Sequence, residues 1–202
     1  MISSTYNISE KNNALVWLPP KCASTSISWV LSYFEFSTVE FNVETNEVLR
    51  VFNNQLHFGH NMSYPPNYSN LTFICGVRNP YNRILSFYQS NSMNFSVSNF
   101  ERFIEERIVK NPNNVSWDYV GLFNEKLPDY FIRTENVYED LTKIPFIGQS
   151  ELNNSGVLEI FCDKKLNQSS TQLSFEEYLT PNVKQVIQEI FSKQFELFGY
   201  EK

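Results

Sequence analysis

Hydrophobic residues along the chain fall into short blocks with two different spacings. Residues 14–18 (ALVWL) and 71–77 (LTFICGV) are nearly continuous apolar runs of strand length, and each stands next to polar or proline-rich sequence. Runs of this kind are typical of strands that are buried on both faces of a sheet. A third and shorter strand is predicted at residues 130–133 (YFIR).

Elsewhere, apolar residues recur every three or four positions, which is the spacing of a helix with one buried face. The pattern predicts helices over residues 25–34, from residue 80 onward, over residues 98–110 and around residues 135–141. The clearest helix starts near the C-terminus, where Thr180 can cap it and Pro181 suits its first turn. Strands that alternate with helices indicate an α/β fold in which a central parallel sheet is flanked by helices.

The composition limits the kind of protein that these elements can form. The chain has 202 residues, 42% of them hydrophobic, and its 16 Lys and Arg against 22 Asp and Glu give a net charge of −6. The hydrophobic content argues against a disordered chain. The net negative charge disfavours a general nucleic-acid binder, which needs many cations. We predict a single domain over residues 1–202, with a flexible polar segment at residues 1–13.

Signals for other compartments are not found in the sequence. No apolar run approaches the length that spans a bilayer, and no hydrophobic export segment precedes the first predicted strand. The three cysteines, Cys22, Cys75 and Cys162, are odd in number, which argues against a disulfide framework. We therefore expect a cytoplasmic protein without a membrane segment.

The first candidate site is the turn between the first predicted strand and the first predicted helix, residues 19–26 (PPKCASTS). In open parallel sheets, ligands bind where strands end and helices begin, and a helix N-terminus attracts anions through its N–H groups and its dipole. A lysine adds charge, hydroxyls add donors, and small side chains let the backbone fold around an oxyanion. The residues concerned are Lys21, Cys22, Ala23, Ser24, Thr25 and Ser26. An ordinary helix start with an unrelated lysine fits the same spacing.

Two other anion-binding loops do not match this turn. A Walker A loop requires glycines, and residues 19–26 contain none. A cysteine phosphatase loop requires an arginine six residues after its cysteine, and Ser28 occupies that position relative to Cys22.

The second candidate site follows the second long strand, in residues 77–88 (VRNPYNRILSFY). Asn79 can cap a helix that starts at Pro80, and Arg78 stands at the strand end. Arg83 and Ser86 are three residues apart and share a helix face. An arginine fork and a hydroxyl suit a phosphate, although surface arginines at a helix entry fit the pattern as well.

Taken together, these segments resemble a known family. Residues 21–27 (KCASTSI) resemble the 5′-phosphosulfate loop of sulfotransferases that use 3′-phosphoadenosine-5′-phosphosulfate (PAPS), most closely the carbohydrate branch (sulfotransferase family 2-like). Residues 77–88 resemble the 3′-phosphate segment of that family, and residues 129–141 and 190–200 resemble its later segments in the same order. The resemblance implies a three-layer fold like that of the P-loop NTPases.

The resemblance also assigns residues. The family positions that hold the 5′-phosphosulfate correspond to Lys21, Ser24, Thr25 and Ser26, and the same loop contains Cys22 and Ala23. The family contacts of the 3′-phosphate correspond to Arg78 and Ser86, and Arg83 matches less well. A Gly-His element often supplies the catalytic base of the branch, so His60 after Gly59 is the candidate and His57 the reserve. Either histidine also fits a structural role, and other branches use glutamate as the base.

The implied reaction moves a sulfuryl group from the co-substrate PAPS to a hydroxyl and releases adenosine 3′,5′-bisphosphate. A carbohydrate is the favoured acceptor. Lys21 and His60 would be catalytic, and neither a metal nor a nucleic-acid partner is expected. Residues 42–55 and 93–129 would wall the acceptor site, with Trp117 and Tyr119 as candidate sugar contacts that fit a core role equally. Two alternatives stay open: a non-catalytic module that binds a nucleotide or glycan, and a P-loop-type nucleotide kinase.

Overall fold

The computed structural model describes residues 3–42, 48–52, 70–91, 95–111, 126–163 and 175–202. The strands in these ranges are β1 (Ser3–Ser9), β2 (Ala14–Trp17), β3 (Ser37–Asn42), β4 (Val48–Phe52), β5 (Thr72–Val77) and β6 (Tyr130–Arg133). They form one six-stranded sheet in the order β4-β3-β1-β2-β5-β6. The predicted strands at residues 14–18, 71–77 and 130–133 are confirmed as β2, β5 and β6.

The sheet is mixed. β2 pairs with β5 in parallel, with Trp17 opposite Cys75, and β5 pairs with β6 in parallel, with Val77 opposite Arg133. β1 is antiparallel to both β2 and β3, and β3 is antiparallel to β4. The α/β class is confirmed, but a wholly parallel sheet is wrong for the three strands that run β4-β3-β1.

β1 lies where the sequence predicted a flexible segment. Its buried positions include Asn7 and Ser9, which carry no hydrophobic signal. Their polar atoms are hydrogen-bonded: Thr38 Oγ1 donates to Asn7 Oδ1 over 2.9 Å, and Ser9 Oγ donates to the Phe34 carbonyl over 3.2 Å. Because internal partners satisfy these groups, polar residues can occupy an inward-facing strand.

The helices in the described ranges are α1 (Ser24–Leu31), which a 3-10 turn (Ser32–Phe34) extends, α2 (Pro80–Asn91), α3 (Val97–Phe103), which continues as a π-helix (Ile104–Val109), α4 (Val137–Thr142), α5 (Pro145–Gly148), α6 (Glu151–Asn154), α7 (Val157–Asp163), α8 (Phe175–Tyr178), α9 (Pro181–Ile190) and α10 (Ser192–Phe198). Every predicted helix is present, within a few residues of its predicted bounds. In these ranges no helix has the length and apolar character needed to cross a membrane.

Backbone contacts divide the chain into two compact units. The first comprises Met1–Val77 and Leu122–Asn167, and the second comprises Arg78–Gly121 and Gln168–Lys202. In the first unit, the inner face of α1 packs with strand residues and with the helices after β6. The buried residues of this core include Val16, Ile27, Leu31, Ile74, Ile132, Leu141 and Leu158.

The second unit has a core rich in aromatic rings. Tyr88 lies 5.1 Å from Phe100, and Phe100 lies 5.6 Å from Tyr178, measured between ring centroids. The predicted start of α9 is confirmed, because Thr180 Oγ1 accepts a hydrogen bond from the Val183 N–H over 3.4 Å and Pro181 is the first helical residue. Thr180 therefore fixes the helix that closes this core.

Two buried tyrosines of this core differ in their hydroxyl groups. Tyr88 donates to the Ser96 carbonyl over 3.3 Å, whereas the Tyr178 hydroxyl has no hydrogen-bond partner among the described residues. Burial, with a smaller effect of Tyr88, raises the pKa of Tyr178. We expect Tyr178→Phe to leave the free energy of unfolding unchanged or raise it by about 1 kcal/mol, because a desolvated polar group is removed.

The matched control is Tyr88→Phe, which should lower the free energy of unfolding by about 1 kcal/mol because its hydrogen bond is lost. Urea unfolding followed by circular dichroism measures both variants. Equal losses for the two variants would show that the Tyr178 hydroxyl is bonded in solution.

Candidate functional site

The turn after β2 has an unusual backbone. Leu18 and Cys22 are buried, and between β2 and α1 both Lys21 (φ 66°) and Ala23 (φ 52°) adopt the left-handed conformation. This conformation costs a residue with a Cβ about 1–2 kcal/mol. With two such residues within three positions, the loop is held in a conformation that its residues do not favour on their own. Strained backbone of this kind concentrates at ligand sites.

The loop leads directly into the N-terminus of α1. Ala23 is the N-cap residue and has no side chain that could cap, and the first helical hydrogen bond runs from the Ile27 N–H to the Ala23 carbonyl over 3.0 Å. Helix geometry provides no intrahelical acceptor for the N–H groups that precede Ile27. A left-handed residue followed by a helical one directs successive N–H groups toward one point, which creates a concave anion site.

The side chains around this concavity match its chemistry. Lys21, Ser24, Thr25 and Ser26 are all partly exposed. Cys22 is fully buried, and its N–H donates to the Pro19 carbonyl over 3.3 Å. Of the six predicted loop residues, Cys22 is therefore engaged within the loop itself, whereas the side chains of Lys21, Ser24, Thr25 and Ser26 reach the surface.

Gly76 of β5 is a residue of this region that the sequence did not single out. A Cβ at this position would lie 3.0 Å from Leu18 Cδ2 and 3.4 Å from the Cys22 carbonyl oxygen. The loop after β2 thus packs against the β5 backbone at a point where a larger residue would force it to move. In the sequence, the only sign of this close contact was a glycine one residue before the end of the predicted strand.

The second candidate segment begins where β5 ends. Asn79 Oδ1 accepts from the Tyr81 N–H over 3.0 Å, and the Asn79 carbonyl accepts from the Arg83 N–H over 2.9 Å, which confirms the predicted cap of α2. Arg78 and Ser86 are partly exposed. Arg83 is only 1% exposed, and its Cζ atom lies 5.5 Å from the centroid of the Phe87 ring. Packing inside the second unit is therefore the role that the structure supports for Arg83.

The candidate residues fall into separate groups. Lys21 to Ser26 belong to the first unit, and Arg78, Arg83 and Ser86 belong to the second. Because β2 and β5 are neighbouring parallel strands, their carboxyl ends lie at the same edge of the sheet. The predicted histidines His57 and His60, and the aromatic residues Trp117 and Tyr119, lie outside the described residues.

The stretch at residues 129–141 has a structural function. The Arg133 side chain at the end of β6 forms two hydrogen bonds with Asp140 of α4, of 2.8 Å from Nε to Oδ2 and 2.7 Å from an Nη to Oδ1, and its N–H adds a third of 3.0 Å. Lys143 Nζ lies 2.7 Å from the same carboxylate. Burial of Asp140 opposes its ionisation, but the hydrogen bonds from Arg133 and Lys143 hold its pKa below the ordinary value. This ion pair attaches α4 to β6.

Comparison with known proteins identifies no relative of this chain. No protein-family model matches the chain, and neither the curated proteins nor the solved structures include a match. In the ranges that the structure describes, no group of three His, Cys, Asp or Glu residues could hold a metal ion. The sulfotransferase hypothesis therefore depends on the residues of this chain alone.

The shape of the Lys21 loop can be tested independently of function. We expect Ala23→Val to lower the free energy of unfolding by about 2 kcal/mol, because a β-branched residue fits the left-handed conformation poorly. Ala23→Gly should leave it unchanged or raise it by up to about 1 kcal/mol, because glycine adopts positive φ without strain. Urea unfolding measures both, and equal stability of the two variants would contradict the described backbone.

Proposed function

We propose that the chain is a PAPS-dependent sulfotransferase that transfers a sulfuryl group to a hydroxyl, with a carbohydrate as the favoured acceptor, and releases adenosine 3′,5′-bisphosphate. The observation that carries this proposal is the strained, lysine-bearing loop that opens into the uncapped N-terminus of α1. A phosphate is the group that such a concavity suits best. The resemblance of residues 21–27 to a 5′-phosphosulfate loop then specifies the ligand.

The second half of the proposed nucleotide site comes from the resemblance of residues 77–88 to the 3′-phosphate segment of the family. β2 and β5 both end at one edge of the sheet, and Arg78 is the residue that follows β5 in the sequence. In the proposed enzyme, Arg78 and Ser86 would bind the 3′-phosphate while the Lys21 loop binds the 5′-phosphosulfate. The three-layer P-loop NTPase-like architecture is part of this proposal.

The chemical step requires alignment and charge stabilisation. The bond between sulfur and the oxygen that bridges it to phosphorus breaks, and a new bond forms between sulfur and the acceptor oxygen. Lys21 would stabilise the negative charge that grows on the departing oxygen, and the hydroxyls of Ser24, Thr25 and Ser26 would hold the phosphate. The acceptor proton would pass to a base, for which His60 is the sequence candidate.

Ligand-induced stabilisation tests the proposal before an acceptor is known. Thermal unfolding is measured with PAPS, with adenosine 3′,5′-bisphosphate and with ATP plus Mg²⁺. A ligand at 100 times its dissociation constant adds about 2.7 kcal/mol to the stability of the folded state, which corresponds to a rise in Tm of about 5–10 °C for a chain of this size.

Stabilisation by the two 3′-phosphorylated nucleotides but not by ATP supports the proposal. Stabilisation by ATP with Mg²⁺ alone would instead indicate a nucleotide kinase. Stabilisation by PAPS without turnover on a panel of glycans would indicate a non-catalytic module. No response to any of the three nucleotides would overturn the nucleotide site altogether.

A further inference from the structure

Ser28 places a buried hydroxyl inside the first unit, on α1. The residue is 4% exposed, and its Oγ atom has no hydrogen-bond partner in the part of the chain that the structure describes. Two other buried hydroxyls of the same unit, those of Ser9 and Thr38, each have a partner. A buried hydroxyl without a partner costs stability, so a native protein that keeps one needs a reason to do so.

The position of Ser28 on the helix relates it to the Lys21 loop. α1 begins at Ser24, so Ser28 lies one turn further along and on the same face. Helical side chains lean toward the N-terminus and cover the turn that precedes them. The Ser28 hydroxyl is therefore directed toward the start of α1. One turn in the other direction, the exposed Ser32 hydroxyl donates to the Trp29 carbonyl over 2.6 Å.

Ser24 is the residue that can connect Ser28 to a bound anion. It is the first residue of α1 and is partly exposed. Helical side chains four residues apart have Cβ atoms about 5–6 Å from each other, and two hydroxyls turned toward each other reduce this gap to about the length of a hydrogen bond. A serine hydroxyl accepts and donates at the same time. Ser24 can thus accept from Ser28 while it donates to an anion.

We infer that Ser28 is a positioning residue of the proposed nucleotide site: its hydroxyl donates to the Ser24 hydroxyl, which in turn donates to the 5′-phosphosulfate. This inference rests on the proposed function. The anion fixes the Ser24 side chain in the orientation that Ser28 requires, and each hydrogen bond in such a chain polarises and strengthens the next. The cost of burying the Ser28 hydroxyl is thereby recovered in the complex and not in the free protein.

Affinity and stability should therefore respond in different ways to Ser28→Ala. Calorimetric titration of the full chain with adenosine 3′,5′-bisphosphate, which retains the 5′-phosphate, should show binding weakened by about five- to tenfold. Urea unfolding without the nucleotide should show a stability equal to or above that of wild type. Ser32→Ala is the matched control, because it removes a serine hydroxyl from the same helix face one turn further from the loop. Its affinity should stay within twofold of wild type.

A double-mutant cycle with Ser24→Ala tests whether Ser28 acts through Ser24. Residues in one hydrogen-bond chain are not additive. The variant with Ser24→Ala and Ser28→Ala together should therefore bind the nucleotide within twofold of Ser24→Ala alone. Losses that multiply in the double variant would show that the two serines act independently.

Other results would also overturn the inference. Equal affinity of wild type and Ser28→Ala would remove Ser28 from binding. Lower stability of Ser28→Ala without nucleotide would show that the hydroxyl already has a partner in the free protein, such as the carbonyl four residues earlier. Failure of wild type to bind any of the nucleotides would remove the proposed function and this inference with it. Binding by wild type that Ser28→Ala leaves unchanged would remove only the inference.

Discussion

Lys21→Ala should reduce the release of adenosine 3′,5′-bisphosphate from PAPS by about 10²–10³-fold, the loss typical when one donor to a developing oxyanion is removed. Lys21 lies in the loop that opens onto the N-terminus of α1, where its charge reinforces the helix N–H groups. Its partly exposed side chain is not part of the buried core, so the free energy of unfolding should change little. Steady-state turnover with saturating PAPS measures the effect.

Lys110→Ala is the matched control, because this lysine is exposed and belongs to neither of the two predicted phosphate-binding segments, residues 19–26 and 77–88. It should retain wild-type turnover. Calorimetric titration with adenosine 3′,5′-bisphosphate separates binding from chemistry: the Lys21 variant should lose more in turnover than in affinity. Undiminished turnover in Lys21→Ala would remove the loop from the mechanism.

Asp140→Ala should destabilise the protein by about 2–4 kcal/mol, because it removes a buried acceptor that three groups share. The Asp140 side chain is 3% exposed and receives hydrogen bonds from the Arg133 backbone, the Arg133 guanidinium and Lys143. Without it, the connection between β6 and α4 loses its charged hydrogen bonds. Glu196→Gln, which breaks the exposed pair with Lys202, should change stability by less than about 1 kcal/mol.

The same residue predicts a dependence on pH. Since the folded-state pKa of Asp140 lies below the ordinary value of 3.8, its ionised form stabilises the fold above that value. This contribution is lost as the pH falls from near 3.8 through the lower folded-state pKa. The stability difference between wild type and Asp140→Asn, measured by urea unfolding, should therefore be constant from pH 6 to 8 and shrink below about pH 4. A difference that grows on acidification would contradict the sign of the shift.

The sequence predicted the parallel part of the fold well, because its strands are buried on both faces. Leu15, Val16 and Ile74 give continuous apolar runs that no other element matches. β1 was missed because hydrogen bonds, and not hydropathy, satisfy its inward positions Asn7 and Ser9. The antiparallel half of the sheet therefore depends on tertiary pairing that a hydropathy pattern does not record.

For the candidate site, residue types were predictable and backbone shape was not. The order of lysine and hydroxyl residues before a helix identified the loop, but the left-handed conformations of Lys21 and Ala23 belong to non-glycine residues and leave no sequence signal. The close contact at Gly76 depends on the register of β2 with β5. Arg78 and Arg83 are two arginines of one segment, and the sequence does not show which of them is buried. Packing buries Arg83 and leaves Arg78 partly exposed.

The division of the chain between two units has a consequence for synthesis on the ribosome. The first unit is interrupted after Val77 and resumes at Leu122, and the second is interrupted after Gly121 and resumes at Gln168. A nascent chain that has emerged only to residue 121 therefore contains neither unit in full, and β5 still lacks its neighbour β6. Truncation from the C-terminus should yield aggregation-prone fragments well before the Lys21 loop itself is reached. Heterologous expression is thus best attempted with all 202 residues.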